Sequence, residues 1–284
     1  MGRTRLKVEA ALRPYLATFS ARFQLMLQYR AAALAGFATQ CWWGGIHIMV
    51  FAAFFGGAGA AARSPISLSQ VITYTWLAQG FLSLNPWSGD PDVAAKVRTG
   101  AVGYDRLRPV DAYNWWFVNA AAWMTARAAP RAGLMLALTG MVFPLVGLNA
   151  WAWAPPASLQ AALMFAVSMV LVVLLSSAIV MLINICVAAT LTDRGVNNFV
   201  APIAILFSGN LIPLPLFPDW ARTVLFVQPF AGVVDIPFRI YLGQITGPTA
   251  LAGIGLQVFW IVVLGGLGRL WMDRVMGRLQ VQGG

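Results

Sequence analysis

No charged residue stands between Arg131 and Asp193, and a soluble fold has no place to bury an apolar segment of that length. Four shorter intervals are also uncharged: 31–62, 64–89, 195–218 and 240–268. Charged residues make up only 10% of this chain, whereas they make up about 25% of a typical soluble domain. A helix that crosses a bilayer needs about 20 consecutive apolar residues. The sequence therefore predicts an all-α integral membrane protein.

The longest uncharged interval has room for two crossings, because the segment "GLNAWAWAPP" divides it with a turn. We therefore expect six transmembrane helices in one transmembrane domain that occupies residues 1–284. The predicted spans are 31–57, 67–86, 132–149, 159–190, 199–217 and 250–271. Residues 1–30 place apolar side chains at helical spacing between arginines. That pattern predicts an N-terminal interfacial helix on the membrane surface.

The distribution of basic residues predicts the orientation. When six spans are threaded, all but three of the 19 lysines and arginines fall on one side, the exceptions being Arg63, Arg222 and Arg239. The positive-inside rule makes the basic side cytoplasmic. We therefore expect a multi-pass protein of the inner (plasma) membrane with both termini in the cytoplasm. The net charge of +10 is then a topology signal, and nucleic acid is not an expected partner.

The sequence carries little catalytic or cofactor-binding chemistry. It has no G-x-x-x-x-G-K-[ST] loop for a nucleotide, and neither of its two lysines, Lys7 and Lys96, lies in such a context. His47 and the two distant cysteines do not have the spacing of a metal site. We therefore expect no catalytic residues, no metal and no cofactor in this chain, which is not predicted to be an enzyme.

Four polar side chains fall inside the predicted spans: Gln40, His47, Gln79 and Asn184. They have two interpretations. The first is interhelical hydrogen bonding, with each bond worth about 1 kcal/mol. The second is that these side chains line a substrate path across the membrane.

The loop after the second span carries the signals of a short helix at 91–99. Asp90 can cap its start, Pro91 suits its first position, and Gly100 can end it. A helix of about two turns is marginal alone and needs a surface to pack on. We expect it either to form an ordinary surface turn or to dock a soluble partner. In the second case Val93 and Val97 would make the apolar contacts, with Lys96 and Arg98 at the rim.

Two segments resemble the permease subunits of ABC-2-type transporters, in particular a branch long described as uncharacterised permease components. The first, "VRTGAVGYDRLRPVDAYN" at 97–114, is similar to a loop of that branch in which Arg-x-Gly is followed by an acidic residue and Leu-Arg-Pro. The second combines "SGNLIPLPLFPDW" with "QPFAGVVDIPFRIYLG". The matching loop residues are Arg98, Gly100, Asp105, Leu107, Arg108 and Pro109.

The resemblance implies a division of labour. A separate ABC ATPase subunit would bind ATP and Mg²⁺, while this chain and a second permease chain, identical or related, would form the translocation path. The helix at 91–99 would be the coupling helix that docks in a groove of the ATPase. The resemblance also favours export.

The segment 206–240 begins as an apolar helix and is then interrupted by Gly209, Asn210, Pro213, Pro215 and Pro218. Backbone that leaves a helix in lipid must be satisfied by protein or water. The resemblance therefore implies an external re-entrant helical hairpin between spans 5 and 6, which would cap the outer end of the path.

Two other classes of protein compete with the ABC permease. A secondary transporter or channel not coupled to ATP would be expected to show acidic residues within its spans or an inverted repeat. An integral membrane enzyme would need a catalytic constellation. The sequence shows neither set of features clearly, so we expect the transmembrane permease subunit of an ATP-driven exporter.

Overall fold

The computed structural model describes residues 2–57 and 64–278, and within them the chain is built from helices joined by turns. Ten helices are numbered here in chain order. They are α1 (Gly2–Leu27), α2 (Arg30–Gly56), α3 (Leu68–Gly80), α4 (Pro91–Arg98), α5 (Ala112–Ala137), α6 (Leu159–Thr190), α7 (Arg194–Phe207), α8 (Asp219–Val227), α9 (Asp235–Tyr241) and α10 (Gly247–Arg278). A π-turn at Leu138–Val142 extends α5 to Leu145.

Three helices of the described residues are long and apolar enough to cross a membrane. They are the extended α5 (Ala112–Leu145), α6 (Leu159–Thr190) and α10 (Gly247–Gly277). A fourth candidate is the pair Asp219–Val227 and Pro229–Tyr241, which is bent by 73° and is either a broken span or a re-entrant loop. The chain is therefore a multi-pass, all-helical membrane protein.

Helix α6 is the central helix. In its most apolar window 67% of the residues are buried, against 22% for α5 and 17% for α10. Its buried side chains, including Val172, Leu175 and Val180, form the main core with residues of α3, α5 and α9. The low burial of α5 and α10 leaves wide apolar faces for lipid or for another chain.

The segment predicted as the second span, 67–86, contains only the 13-residue helix α3. Ser67 caps α3 with a capping box to Gln70, and all residues from Val71 to Gly80 are buried. At 1.5 Å per residue the helix is about 20 Å long. It continues into a 3₁₀ turn at Leu82–Leu84.

Helix α5 begins at Ala112, well before the predicted span at 132–149. It therefore includes Arg127 and Arg131, which sequence reasoning had placed in a cytoplasmic loop. Arg131 donates to the Ser83 hydroxyl at 2.9 Å and to the carbonyl of Ala32 at 3.4 Å. A charged side chain within a membrane span needs polar partners. These two contacts supply them for the guanidinium of Arg131, which lies where α5 packs against α2 and the segment after α3.

Candidate coupling site

The short helix α4 follows from local sequence signals. The Asp90 carboxylate accepts from the backbone N–H of Asp92 at 3.0 Å, which satisfies a donor at the helix start. Pro91 occupies the first turn, and Lys96 and Arg98 lie in the last turn, where they complement the helix dipole. Gly100 follows with φ of 73°, a left-handed conformation that favours glycine.

The inner face of α4 corrects the prediction that Val93 and Val97 contact a partner. Both side chains are buried, with 4% and 7% exposed. They pack with Trp116 of α5, Met181 and Ile185 of α6, and other residues of the same core. An amphipathic pattern shows that a helix has an apolar face but does not show what covers it, and here the protein's own core covers it.

The start of α4 is tied to three other helices. The Arg22 guanidinium of α1 donates through Nη2 to Asp90 at 2.8 Å and to Asp92 at 3.0 Å. The side-chain oxygen of Asn184 on α6 accepts from the backbone N–H of Asp90 at 2.8 Å. That of Asn197 on α7 accepts from the N–H of Gly89 at 3.1 Å. A displacement of α4 must therefore move or break contacts with α1, α6 and α7.

The end of α4 is fixed by the buried carboxylate of Asp105, which is 2% exposed. It accepts from Lys96 Nζ at 2.9 Å and from Arg108 Nε at 3.2 Å. The indole N–H of Trp116 on α5 also donates to it at 3.0 Å. Asp105 therefore joins α4, the following loop and α5, and its buried charge is compensated by two cations and an indole.

The opposite side of α4 is open. Pro91, Asp92, Ala95, Arg98 and Thr99 are exposed along one side of the helix. Two large apolar side chains of the following loop are exposed as well, Tyr104 at 71% and Leu107 at 78%. Tyr104 and Leu107 lie on either side of Asp105 in the chain. Because the Asp105 carboxylate accepts from Lys96 in the last turn of α4, both side chains lie beside that turn. We call these seven residues the exposed α4 surface.

Sequence reasoning missed Tyr104 and Leu107 as members of this surface. The available signal was two large apolar residues inside the charged stretch from Lys96 to Arg108. Of the other predicted loop residues, Arg108 is exposed and stacks over Trp115 at 4.6 Å, and Pro109 is exposed. Arg98 forms an exposed ion pair with Asp193 at 3.4 Å, next to the start of α7.

The four polar residues of the predicted spans have different surroundings. Gln40 and Gln79 are buried, and their side-chain oxygens have no hydrogen-bond partner among the described residues. Asn184 is also buried, but its oxygen is bound by the backbone of Asp90 rather than by another span. His47 is half-buried, with its ring 6.4 Å from that of Trp43.

The predicted helix break lies directly after α7, which ends at Phe207. Gly209 has φ of 86°, and its carbonyl accepts from the Tyr74 hydroxyl at 3.0 Å. Asn210 is half-buried, Pro213 and Pro215 are buried, and Pro218 is exposed at the start of α8. The break is therefore fixed to α3 by a hydrogen bond that satisfies backbone outside a helix.

The bent pair after the break is also held from the side. Gln257 of α10 donates to the carbonyl of Gly232 at 2.7 Å, and Ser168 of α6 donates to the Gln257 oxygen at 2.9 Å. The indole of Trp260 donates to the carbonyl of Val227 at 2.8 Å. These bonds satisfy carbonyls near the bend, where the helical ladder is interrupted.

We expect Gly209→Ala to lower the thermal stability of the protein. A Cβ there would lie 2.7 Å from the Tyr74 hydroxyl, and the left-handed backbone adds strain, so the cost should be roughly 1–3 kcal/mol. The unfolding temperatures of the variant and of wild type, measured in the same detergent, give the loss of stability. Gly45→Ala is the matched control, because its Cβ would meet nothing within 4 Å. Equal unfolding temperatures for Gly209→Ala and wild type would contradict the account of the break.

Comparison with known protein families gives a match over most of the chain. The family model described as ABC-2 family transporter protein matches residues 64–283, which is most of the chain and includes both the exposed α4 surface and the bent pair. No curated protein matches the chain.

Proposed function

The chain belongs to the family of ABC-2 transporter proteins, and from this premise we propose that it is the transmembrane permease subunit of an ATP-driven exporter. Membership of the family makes it a membrane permease of an ABC transporter and implies an ABC ATPase as its partner. The ATPase subunit binds ATP and Mg²⁺ and hydrolyses the nucleotide. This chain and a second permease chain, identical or related, form the path for the substrate.

One observation carries the proposal: α4 is exposed on one side and tied to the transmembrane helices on the other. The exposed α4 surface offers apolar contacts at Ala95, Tyr104 and Leu107. Behind it, Asn184 lies on α6, the most buried of the candidate spans. A movement of the ATPase against this surface would reach α6 directly. We therefore assign α4 as the coupling helix.

Export requires an outer end of the path that opens and closes. We assign this role to the pair α8 and α9, acting as an external re-entrant hairpin. Trp220, at the start of α8, is 82% exposed, which suits the outer membrane interface. The buried glutamines Gln40 and Gln79 are candidates for the path, because the side-chain oxygen of each is bound by no other residue that the structure describes.

In the proposed topology the chain crosses the inner (plasma) membrane six times, and both termini lie in the cytoplasm. The crossings other than α5, α6 and α10 are α2, α3 and α7. Helix α2 has 27 residues and no charge after Arg30, which supports a crossing. Of the three basic residues expected outside, Arg222 and Arg239 lie in the bent pair, and Arg63 lies outside the described residues.

Cysteine labelling of intact cells tests this topology. In a background with Cys41 and Cys186 replaced by alanine, we expect an impermeant thiol reagent to label Trp220→Cys. It should not label Ala95→Cys or Arg194→Cys until the membrane is permeabilised, because these lie on the cytoplasmic side. All three positions are exposed on the protein. Labelling of position 95 but not 220 in intact cells would invert the orientation.

Co-purification tests the proposed partnership. The chain should be expressed together with a candidate ABC ATPase from the same organism, and isolated through a tag on the chain. We expect the ATPase to be retained, and to be lost when the chain is replaced by an unrelated six-span protein. If the ATPase is not retained under conditions in which both proteins are folded, the proposed partnership is wrong.

A further inference from the structure

A cavity of about 490 Å³ lies where α1 turns into α2 and meets α5. Ligand sites commonly have volumes of about 300–1,000 Å³. Its apolar wall includes Met26, Leu27, Leu34 and Leu134, and its charged residues are Arg30, Arg127 and Arg131. None of its lining residues is acidic. We call it the arginine cavity.

The three arginines lack anionic partners within the described part of the chain. Arg30 and Arg127 make no side-chain ion pair there, and Arg127 stacks over Trp123 at 4.6 Å. The carboxylate of Asp90, which acts on Arg127 electrostatically, is already bound by Arg22. The Nε of Arg131 is buried without a hydrogen-bond partner. Three guanidinium groups that form no ion pair among the described residues attract an anion beside an apolar surface.

The packing around Arg131 keeps its guanidinium in place. A Cβ at Gly36 of α2 would lie 2.5 Å from Arg131 Cζ, so this glycine provides the space that the guanidinium occupies. The contacts of Arg131 with Ser83 and the Ala32 carbonyl fix it from two further sides. The Arg131 guanidinium is therefore preorganised, and a ligand that binds it does not have to order this side chain.

We propose that the arginine cavity binds the headgroup of one anionic phospholipid. Guanidinium groups suit phosphate oxygens because their donors form a planar fork. The apolar wall suits the upper part of an acyl chain, since Leu34 and Leu134 are exposed on the membrane-facing helices α2 and α5. Basic pockets between transmembrane helices are a known kind of site for such headgroups. The bound lipid would join the α1–α2 turn to α5.

Native mass spectrometry of the full-length chain tests the proposal. The protein is taken from vesicles of equal phosphatidylglycerol and phosphatidylcholine, and the retained lipid is identified. We expect one phosphatidylglycerol per chain. In Arg30→Gln/Arg127→Gln its occupancy should fall about tenfold, because charge-assisted hydrogen bonds are lost. Arg194→Gln/Arg274→Gln removes the same charge at exposed positions elsewhere and should retain the lipid.

Two further arms separate the alternatives. Wild type in phosphatidylcholine vesicles should unfold at a lower temperature than wild type with phosphatidylglycerol, and inorganic phosphate alone should not restore the difference. Gly36→Ala should weaken retention of phosphatidylglycerol by displacing Arg131. Equal retention of both lipids, equal occupancy in Arg30→Gln/Arg127→Gln and the control variant, or full stabilisation by inorganic phosphate would overturn the proposal. These results do not test the proposed transport function, because none of the measurements involves the ATPase.

Discussion

Two glutamates on the exposed side of α4, Ala95→Glu with Thr99→Glu, are expected to abolish capture of the ATPase while the chain stays folded. The two positions lie four residues apart and share a face, which is exposed. At the centre of an interface, two added charges must be desolvated without partners, and such positions dominate binding energy. We expect the amount of ATPase retained to fall about 30-fold or more. Co-purification at equal amounts of folded chain measures it.

The matched control places two acidic residues on the other side of the same helix. Val93→Asp with Val97→Asp puts charge into the core formed with Trp116 and Met181. It should therefore reduce the yield of folded protein, at a cost of several kcal/mol. Our assignment would be contradicted if the Ala95→Glu/Thr99→Glu chain bound the ATPase normally while the Val93→Asp/Val97→Asp chain folded but did not bind it.

Replacement of Asp105 by alanine is expected to lower the stability of the folded chain strongly. Its carboxylate is 2% exposed and accepts from Lys96, Arg108 and the Trp116 indole. Removal leaves the indole unpaired in the core and two cations without their counter-charge. Removing one partner of a buried ion pair costs about 3–5 kcal/mol. Because Lys96 and Arg108 are partly exposed, we expect the cost of Asp105→Ala to lie near the lower end of that range. Thermal unfolding of the purified chain measures the loss.

Asp193→Asn is the control for the Asp105 experiment. It removes a carboxylate that pairs with Arg98 at 3.4 Å on the surface, where both side chains are partly exposed. An exposed pair is worth about 0–1 kcal/mol. If Asp105→Ala lowers the unfolding temperature no more than Asp193→Asn does, Asp105 does not hold the loop, α4 and α5 together.

Local signals predicted where several elements begin and end. The Asp90 cap, Pro91 and Gly100 marked a helix at 91–99, and the structure has one at Pro91–Arg98. The same signals could not show which face of α4 is free. Both a partner groove and the protein's own core cover apolar residues, so the positions of Val93 and Val97 required the packing of α5, α6 and α10.

The sequence did not predict where the helix α5 begins. Two arginines within five residues, Arg127 and Arg131, are typical of a loop beside a span, so the predicted span began at 132. The helix starts at Ala112, where the Asp111 carboxylate accepts from the backbone N–H of Asn114, and it runs on through Arg131. Arg131 donates to Ser83 and to the Ala32 carbonyl in the space beside Gly36. These partners are distant in sequence. No local pattern around 127–131 could have predicted them.

The polar side chains in the predicted spans show the same limit. Asn184 was identified from its type and depth in the sequence, with interhelical bonding and path lining both left open. Its partner is the backbone of Asp90, in the loop before α4. A side chain chosen as a possible path residue therefore holds the proposed coupling helix, and only the three-dimensional contact shows this.

We propose that this chain transports without hydrolysing ATP itself and is driven by a separate ATPase through α4. ATP hydrolysis by three purified samples tests this: the chain alone, the complex of the wild-type chain with its ATPase, and the ATPase mixed with the separately purified Ala95→Glu/Thr99→Glu chain. We expect no hydrolysis by the chain alone and hydrolysis by the wild-type complex. With the variant chain, the ATPase should behave as it does without any permease. Hydrolysis by the isolated chain, free of contaminating enzymes, would contradict the account.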